Sequence, residues 1–228
     1  MSARAVFLMV HFSRGKEAAS DLLGRFRGFL VTDDYVACDR YDNACRQLCR
    51  AHLIRHFVAM NERRARAGKV GARLLLIAHA LFRIRHRRES GGFDESRYHR
   101  RVERLQKSFH QTLERGARLR VDSHTQRQCQ RLPGREAMCW TFLEDNRIPL
   151  TNNVGEQALR GYVIWRRISF ASQSYQGDQF RPLILTLVGT AEKLGISSYH
   201  YLRTAAKEYM ETGRVQTRLL FDTPRLAG

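Results

Sequence analysis

A long basic stretch, residues 61–132, constrains the fold more than any other part of the sequence. Its apolar residues recur at helical spacing in two stripes, and each stripe would lie on one face of a helix. Between the stripes, RIRHRRESGGFDES supplies a Gly-Gly turn and a helix cap at Asp94 or Ser96. The stretch therefore predicts a helical hairpin that a further helix extends. The stripes are Val70, Leu74, Leu75, Ala78 and Leu81, then Tyr98, Val102, Leu105, Phe109 and Leu113.

The charge of the chain points to a polyanionic partner. Its 228 residues include 40 Lys and Arg against 22 Asp and Glu, a formal net charge of +18. Charge of one sign repels itself, which favours phosphate binding over a merely solvated surface. Nucleic acid is the leading candidate and an anionic membrane surface is second, because most of the excess is Arg. Within residues 61–132 the candidates are Arg63, Arg64, Arg66, Arg83, Arg85, Arg87, Arg88, Arg100, Arg101 and Arg104.

Two short apolar runs near the start of the sequence predict buried strands. AVFLMVHF covers residues 5–12, and FLVTDD ends the second run in Asp33 and Asp34. A carboxylate at the carboxyl end of a strand lies at the rim of a sheet, where open α/β folds bind ligands. Asp33 is therefore a candidate site residue. The alternative is that Asp33 only caps the turn that follows the strand.

The five cysteines are odd in number and unevenly spaced, which argues against a disulfide framework and for a reducing, cytoplasmic setting. Cys45, Cys49, His52 and His56 fall at helical spacing. No second Cys/His pair follows at the spacing of zinc ligands, so a structural zinc site is disfavoured. The longest apolar run, LLLIAHALF, is too short to span a bilayer, and we expect a cytoplasmic protein.

A second helical region begins at the polar triplet Thr151, Asn152 and Asn153, whose side chains can cap a helix. Glu156 then falls in the first turns of that helix, with Arg160 one turn later on the same face. The segments around it predict an amphipathic helix over REAMCWTFLED, a turn-rich loop over residues 173–178, a helix over residues 183–194 ended by Gly195, a last helix from Ser198, and an unstructured basic tail over residues 213–228.

Three strings in this sequence resemble a known family. CRAHLIRHF, FLEDNRIPLTNNVGEQALR and GISSYHYLR are similar to the catalytic region of the insertion sequence 66 family of DDE transposases, and the resemblance runs from about residue 6 to about residue 209. It implies an α/β fold, a partial ribonuclease-H-like mixed sheet with flanking helices and a large basic all-helical insertion. The implied parts are a first core segment at 1–58, the insertion at 59–145, the rest of the core at 146–212 and the tail at 213–228.

The resemblance also implies a chemistry. Asp33 matches the family's second catalytic acid and Glu156 its third, and such acids hold two Mg²⁺ ions for DNA strand cleavage and transfer. Arg160, Arg166 and Arg167 would hold backbone phosphates, a structural surface role being the alternative. Cys49 and His52 match a C-x2-H motif, and Asn152 and Asn153 belong to the motif around Glu156. The implied partners are transposon-end and target DNA, with possible self-association or other transposon-encoded proteins, and a nucleoid location when bound.

The sequence also departs from the family. No residue matches the first catalytic acid, Gln157 stands where an Arg commonly follows the Glu, and Asp34 stands where a Gly is common. We therefore expect an N-terminally truncated transposase with an incomplete active site and impaired activity. Two other readings stay open: a non-enzymatic basic nucleic-acid-binding protein whose acids only cap helices and balance Arg, and a helical partner-binding module.

Overall fold

The computed structural model describes residues 5–63, 65–120, 122–169, 172 and 174–216. The chain forms two compact units, a main unit (Gly15–Asn152) and a discontinuous unit (Met1–Arg14 with Asn153–Gly228). The main unit contains α1 (Lys16–Leu23), β1 (Leu30–Thr32), β2 (Arg46–Leu48), α2 (Arg50–Asn61), α3 (Ala65–Glu89), α4 (Glu95–Ala117) and α5 (Ser123–Arg131). Its short 3₁₀ turns lie at Val36–Arg40, Asn43–Cys45, Pro133–Arg135, Ala137–Cys139 and Thr141–Leu143. The discontinuous unit contains α6 (Asn153–Ile168), α7 (Tyr175–Lys193) and α8 (Ser198–Thr212).

The expected α/β class, with a ribonuclease-H-like mixed sheet, is wrong. The protein is 69% helical and 3% strand. Over the described ranges, the one sheet consists of β1 and β2, paired in parallel so that Leu30 lies beside Arg46 and Thr32 beside Leu48. The fold is therefore mostly helical, and the helical hairpin predicted from residues 61–132 contains the two longest helices of the main unit.

The strand expected over residues 5–12 is not formed, and this segment has no regular secondary structure. Instead, side-chain hydroxyls of α7 bind its backbone: the Val6 N–H donates to Thr190 Oγ1 (3.1 Å), which in turn donates to the Val6 carbonyl (3.1 Å), and the Leu8 N–H donates to Thr186 Oγ1 (2.9 Å). Because these hydroxyls satisfy backbone groups that would otherwise bond to a neighbouring strand, the apolar run is held along a helix.

Within the described residues, two 3₁₀ turns, Ala137–Cys139 and Thr141–Leu143, pack against the side of β2 that β1 does not cover. The Thr141 hydroxyl donates to the Arg46 carbonyl (2.7 Å), and the Phe142 N–H donates to Oε1 of Gln47 (2.9 Å). The amphipathic helix predicted for REAMCWTFLED is therefore wrong: this segment forms successive short turns. Side-chain hydrogen bonds of this kind let irregular backbone be buried next to a strand.

The helical core of the main unit follows the predicted apolar stripes. Leu74 and Leu81 of α3 and Phe109 and Leu113 of α4 are fully buried. Gly91 has a positive φ of 74° in the connecting turn, and Asp94 accepts a hydrogen bond from the Arg97 N–H (2.6 Å) as the cap of α4. The helical hairpin, its Gly-Gly turn and the Asp94 cap are confirmed.

The discontinuous unit confirms two predicted helices and corrects one loop. The last two helices are separated where expected, with Gly195 at a φ of 68° and Ser197 accepting from the His200 N–H (3.3 Å). The loop expected over residues 173–178 is wrong in part, because α7 begins at Tyr175 and the Ser174 hydroxyl caps it by accepting from the Gly177 N–H (3.1 Å). Among the described residues, no helix is both long and apolar enough to cross a membrane.

Helices α2 and α3 approach so closely at Gly71 that no side chain fits. A Cβ at this position would lie 2.6 Å from the Met60 carbonyl carbon, which is a backbone atom and cannot turn aside. We expect Gly71→Ala to lower the free energy of unfolding by about 1–3 kcal/mol. Urea unfolding followed by circular dichroism measures this change. Gly134→Ala is the control, because a Cβ there meets nothing within 4 Å, and an equal loss in both variants would contradict the close approach.

Asp122 ties α5 to the end of α2. It accepts hydrogen bonds from the His124 and Thr125 N–H groups and pairs with Arg63 (2.9 Å). Burial raises the pKa of Asp122, but the hydrogen bonds from Thr125, Arg63 and His124 outweigh it and lower the pKa to about 2.

The depressed pKa of Asp122 predicts a pH dependence. Its carboxylate stabilises the fold fully above the unfolded-state pKa of about 3.9, and this contribution is lost as the pH falls through about 2. We therefore expect the wild type to lose more unfolding free energy than Asp122→Asn between about pH 5 and about pH 2. Urea titrations across this range test it; parallel pH profiles for the two proteins would refute it.

Candidate functional site

The candidate site lies where β1 ends, and a buried arginine organises it. Arg46, the first residue of β2, is 0% exposed. Its Nε donates to Thr32 Oγ1 (2.9 Å), and one terminal nitrogen donates to the carbonyls of Asp33 and Tyr35 (3.3 Å each). The other terminal nitrogen pairs with Asp39 (3.0 Å). One guanidinium thus fixes the backbone that carries Asp33.

A chain of alternating charges continues from Arg46. Asp39 also accepts from Arg135 (2.7 Å), Arg135 reaches Asp34 (2.6 Å), and Asp34 contacts Arg131 as well. The Asp34 side chain is only 7% exposed. Each carboxylate lies between two guanidinium groups. The negative charges of Asp34 and Asp39 are therefore compensated by arginines within the fold.

Asp33 stands outside this network although it adjoins it. Its carboxylate is half-buried and accepts one hydrogen bond, from the Tyr35 N–H (3.2 Å), which is the turn-capping contact that the sequence allowed. Among the residues that the structure describes, no Lys, Arg or His forms an ion pair with it. Asp33 thus differs from Asp34 and Asp39 in that no arginine of the described residues pairs with its carboxylate.

Cys49 and His52, the predicted C-x2-H pair, lie at the start of α2. The Cys49 N–H donates to the Thr32 carbonyl (2.7 Å), and the buried Cys49 sulfur accepts from the Asn152 N–H (3.1 Å). The Cys49 sulfur and a ring nitrogen of His52 lie within 4.8 Å of each other. Cys49 therefore joins the end of β1 to the end of the PLTN segment, a structural role that its burial matches.

Two arginines of α3 hold the loop that precedes α6. Arg85 donates to the carbonyls of Ile148 (3.0 Å) and Asn146 (3.0 Å), and Arg88 bonds to the Asn146 side chain. The Arg50 N–H donates to the Leu150 carbonyl (2.8 Å). These contacts attach the string FLEDNRIPL to the helical core of the main unit.

No sequence pattern distinguishes Arg50 from the other arginines of the chain. It is fully buried, its guanidinium lies 5.0 Å from the Trp140 ring centre, and it donates to the Cys139 carbonyl (2.5 Å). Burial lowers the pKa of this guanidinium, and the nearby Cys139 and Cys49 oppose that shift. Arginine is rarely fully buried, so neither Arg46 nor Arg50 is recognisable from charge pattern alone.

In the discontinuous unit, α6 carries Glu156 and the three predicted phosphate-binding arginines. The helix begins at Asn153, as the capping triplet predicts, and Glu156 is half-buried in its first turn. Arg160 and Arg167 follow it by four and eleven positions and share its face, whereas Arg166 points to another side. All three arginines are exposed.

Many arginines of the long helices make contacts within the fold. Arg87 and Arg101 lie over the Phe93 ring (5.8 and 5.0 Å), and Arg63, Arg85 and Arg88 bind the partners named above. Arg64 lies outside the described residues. Arg85 and Arg88 are half-buried, whereas Arg87 and Arg101 are exposed although they lie over Phe93.

Comparison with known proteins gives the class of this protein. The model of the Transposase IS66 family matches residues 2–179, more than half of the chain. This match gives the class, a protein of a transposase family, and it covers Asp33, Cys49, His52 and Glu156. The chain belongs to the IS66 family of transposases, as its motifs predict. Membership indicates a function related to DNA transposition.

A curated relative matches a smaller part of the chain. The protein y4jO of Sinorhizobium fredii (strain NBRC 101917 / NGR234), described as uncharacterized, is 40% identical over 72 residues, or 32% of this chain and 22% of the relative. The match thus spans about a fifth of the length of that relative. No solved structure matches the chain.

The position of Arg46 yields a prediction. Lysine keeps the charge but offers one ammonium group in place of the planar fork that reaches Thr32, Asp33 and Asp39. We expect Arg46→Lys to cost about 3 kcal/mol of unfolding free energy, because it leaves buried polar groups unpaired. Arg147→Lys, at a side chain 91% exposed and paired with Asp145, should leave the unfolding free energy nearly unchanged, because solvent screens this pair. Similar losses in both variants, measured by urea unfolding, would contradict a central role for Arg46.

Proposed function

We propose that this chain provides the catalytic region of an IS66 transposase and acts in Mg²⁺-dependent DNA strand cleavage and transfer. Asp33 and Glu156 are the proposed metal ligands. Residues 1–58 and 146–212 are the proposed catalytic segments, and residues 59–145 the proposed insertion.

One observation carries the proposal. In a chain of net charge +18, cations are abundant, and both neighbouring acids, Asp34 and Asp39, are paired with arginines. Asp33 has no such ion pair within the described part of the chain, and four hydrogen bonds and ion pairs from Arg46 hold the backbone around it. A carboxylate fixed in place but not neutralised is the arrangement that a metal ligand requires.

The residue types fit a magnesium site. Asp33 and Glu156 supply hard carboxylate oxygens, the ligands that Mg²⁺ takes together with water and phosphate oxygens. When bound, a pair of such ions activates the attacking oxygen and stabilises the leaving oxygen of a phosphodiester. The protein's own contribution is to hold these oxygens and to bind the DNA backbone.

Arg160 and Arg167 support the same proposal. They lie on the face of α6 that carries Glu156, so a phosphodiester bound beside that carboxylate would meet cations from the same helix. Arg166 lies on a different face and would contact a phosphate further along the backbone. Asn152 and Asn153 place Glu156 by opening the helix, and Cys49 and His52 lie at the start of α2.

This polypeptide alone supplies two acids of the three that the family site implies. Because loss of one ligand weakens a two-metal site, we propose that its cleavage activity by itself is low. Metal binding is therefore a sharper test than turnover. The rival is a non-enzymatic nucleic-acid-binding protein, whose affinity for DNA would be indifferent to divalent metal and to either acid.

The test is Mn²⁺ binding followed by electron paramagnetic resonance, with Mg²⁺ as competitor. We expect Asp33→Asn and Glu156→Gln each to weaken Mn²⁺ binding by about tenfold or more. Glu103→Gln, which removes an exposed acid of α4, is the matched control and should bind as the wild type does. Nicking of supercoiled plasmid in Mg²⁺ serves as the second readout.

The two functions give different results. If all four proteins bind Mn²⁺ equally and bind DNA equally well in chelator, the metal-site proposal fails and the non-enzymatic reading is correct. If both site variants lose Mn²⁺ and any Mg²⁺-dependent nicking, the transposase proposal stands.

A further inference from the structure

The main unit contains a basic groove that none of the site residues above uses. It is an open groove of about 410 Å³ between α3 and α4. We call it the basic groove, and it is lined by Arg66, Lys69, Val70, Arg73, Thr112, Arg115, Arg118 and Leu119. Five of these eight side chains are cationic, and none is acidic.

The cations are exposed at the walls, and the floor is buried. Val70 and Thr112 are buried, and the Thr112 hydroxyl already donates to the Ser108 carbonyl (2.6 Å). The nearest acid along α4, Glu114, faces His110 (3.6 Å). The lining residues that carry a charge are all positive, so the electrostatic potential in the groove is positive.

We infer that the basic groove binds the phosphate backbone of duplex DNA. Arg66, Lys69 and Arg73 lie at positions i, i+3 and i+7 of α3, a span of about 10 Å along the helix. That length corresponds to about three phosphates of one strand, at 3.4 Å each along the duplex axis. Arg115 and Arg118 line the opposite wall, one turn apart.

A polyanion fits the groove better than a small anion. A single phosphate would leave most of the five cations uncompensated, whereas a strand offers a row of charges that matches the row on α3. Arg73 is already held across the groove by its hydrogen bond to Ser108 (3.0 Å), which fixes one cation in advance. The contacts are to backbone only, so they position DNA without reading its sequence.

The choice of DNA as the polyanion rests on the proposed function, but the groove needs neither Asp33 nor Glu156. The experiment therefore measures binding of a fluorescent random-sequence duplex in chelator, by anisotropy over a series of salt concentrations. The groove variant is Arg66→Gln/Lys69→Gln/Arg115→Gln. The matched control, Arg83→Gln/Arg104→Gln/Lys107→Gln, removes the same charges from exposed positions of the same two helices.

We expect the groove variant to bind duplex at least about tenfold more weakly than the control variant, and its slope of log affinity against log salt to be smaller by about 2–3. Circular dichroism should show both variants folded, because all six side chains are exposed. The Mn²⁺ signal of the groove variant should equal that of the wild type, which separates failure here from failure of the metal site.

Three results would overturn the inference. Equal weakening in the two variants would mean that total charge alone binds DNA. Inorganic phosphate that competes at the same concentration of phosphate groups as duplex would indicate a small-anion site. Wild-type binding to phosphatidylserine vesicles, without binding to duplex, would assign the groove to a membrane surface.

Discussion

The guanidinium of Arg46 is the interaction on which the main unit depends. It is a buried cation whose partners come from β1, from the turn after it and from a 3₁₀ turn, and through Asp39 it extends to Arg135 and Asp34. Removing a buried charge from such a network leaves its partners unpaired at a cost of several kcal/mol. The two-stranded sheet has only three residue pairs, so this network adds most of the contacts that hold the end of β1.

The large positive charge of the chain serves two separate purposes. One group of arginines folds the protein: Arg46, Arg63, Arg85 and Arg135 each hold an acid or a backbone carbonyl. A second group, around the basic groove, faces solvent with no acid among it. Net charge indicates a polyanionic partner only through the second group, because charges that pair inside the fold are already compensated.

The sequence predicts the long helices because their 3.6-residue periodicity extends over many turns, as from Val70 to Leu81. The strand predicted for residues 5–12 is wrong, because a short apolar run has no periodicity that distinguishes a strand from an extended segment without a partner strand. The partners of that run, Thr186 and Thr190, lie about 180 residues away, and no local pattern reveals them. The sequence indicates Asp33 by its place after a strand, yet only the contacts show that arginines pair with Asp34 and Asp39 and not with Asp33.

The mostly helical fold is compatible with the proposed metal ligands, Asp33 and Glu156. A metal ligand needs a fixed backbone and an unpaired carboxylate, and a wide sheet is one way to provide them. In the main unit, two short strands and a buried arginine do so for Asp33. In the discontinuous unit, the first turn of α6 holds the backbone of Glu156. The proposed metal site therefore depends on local rigidity at each acid more than on the number of strands.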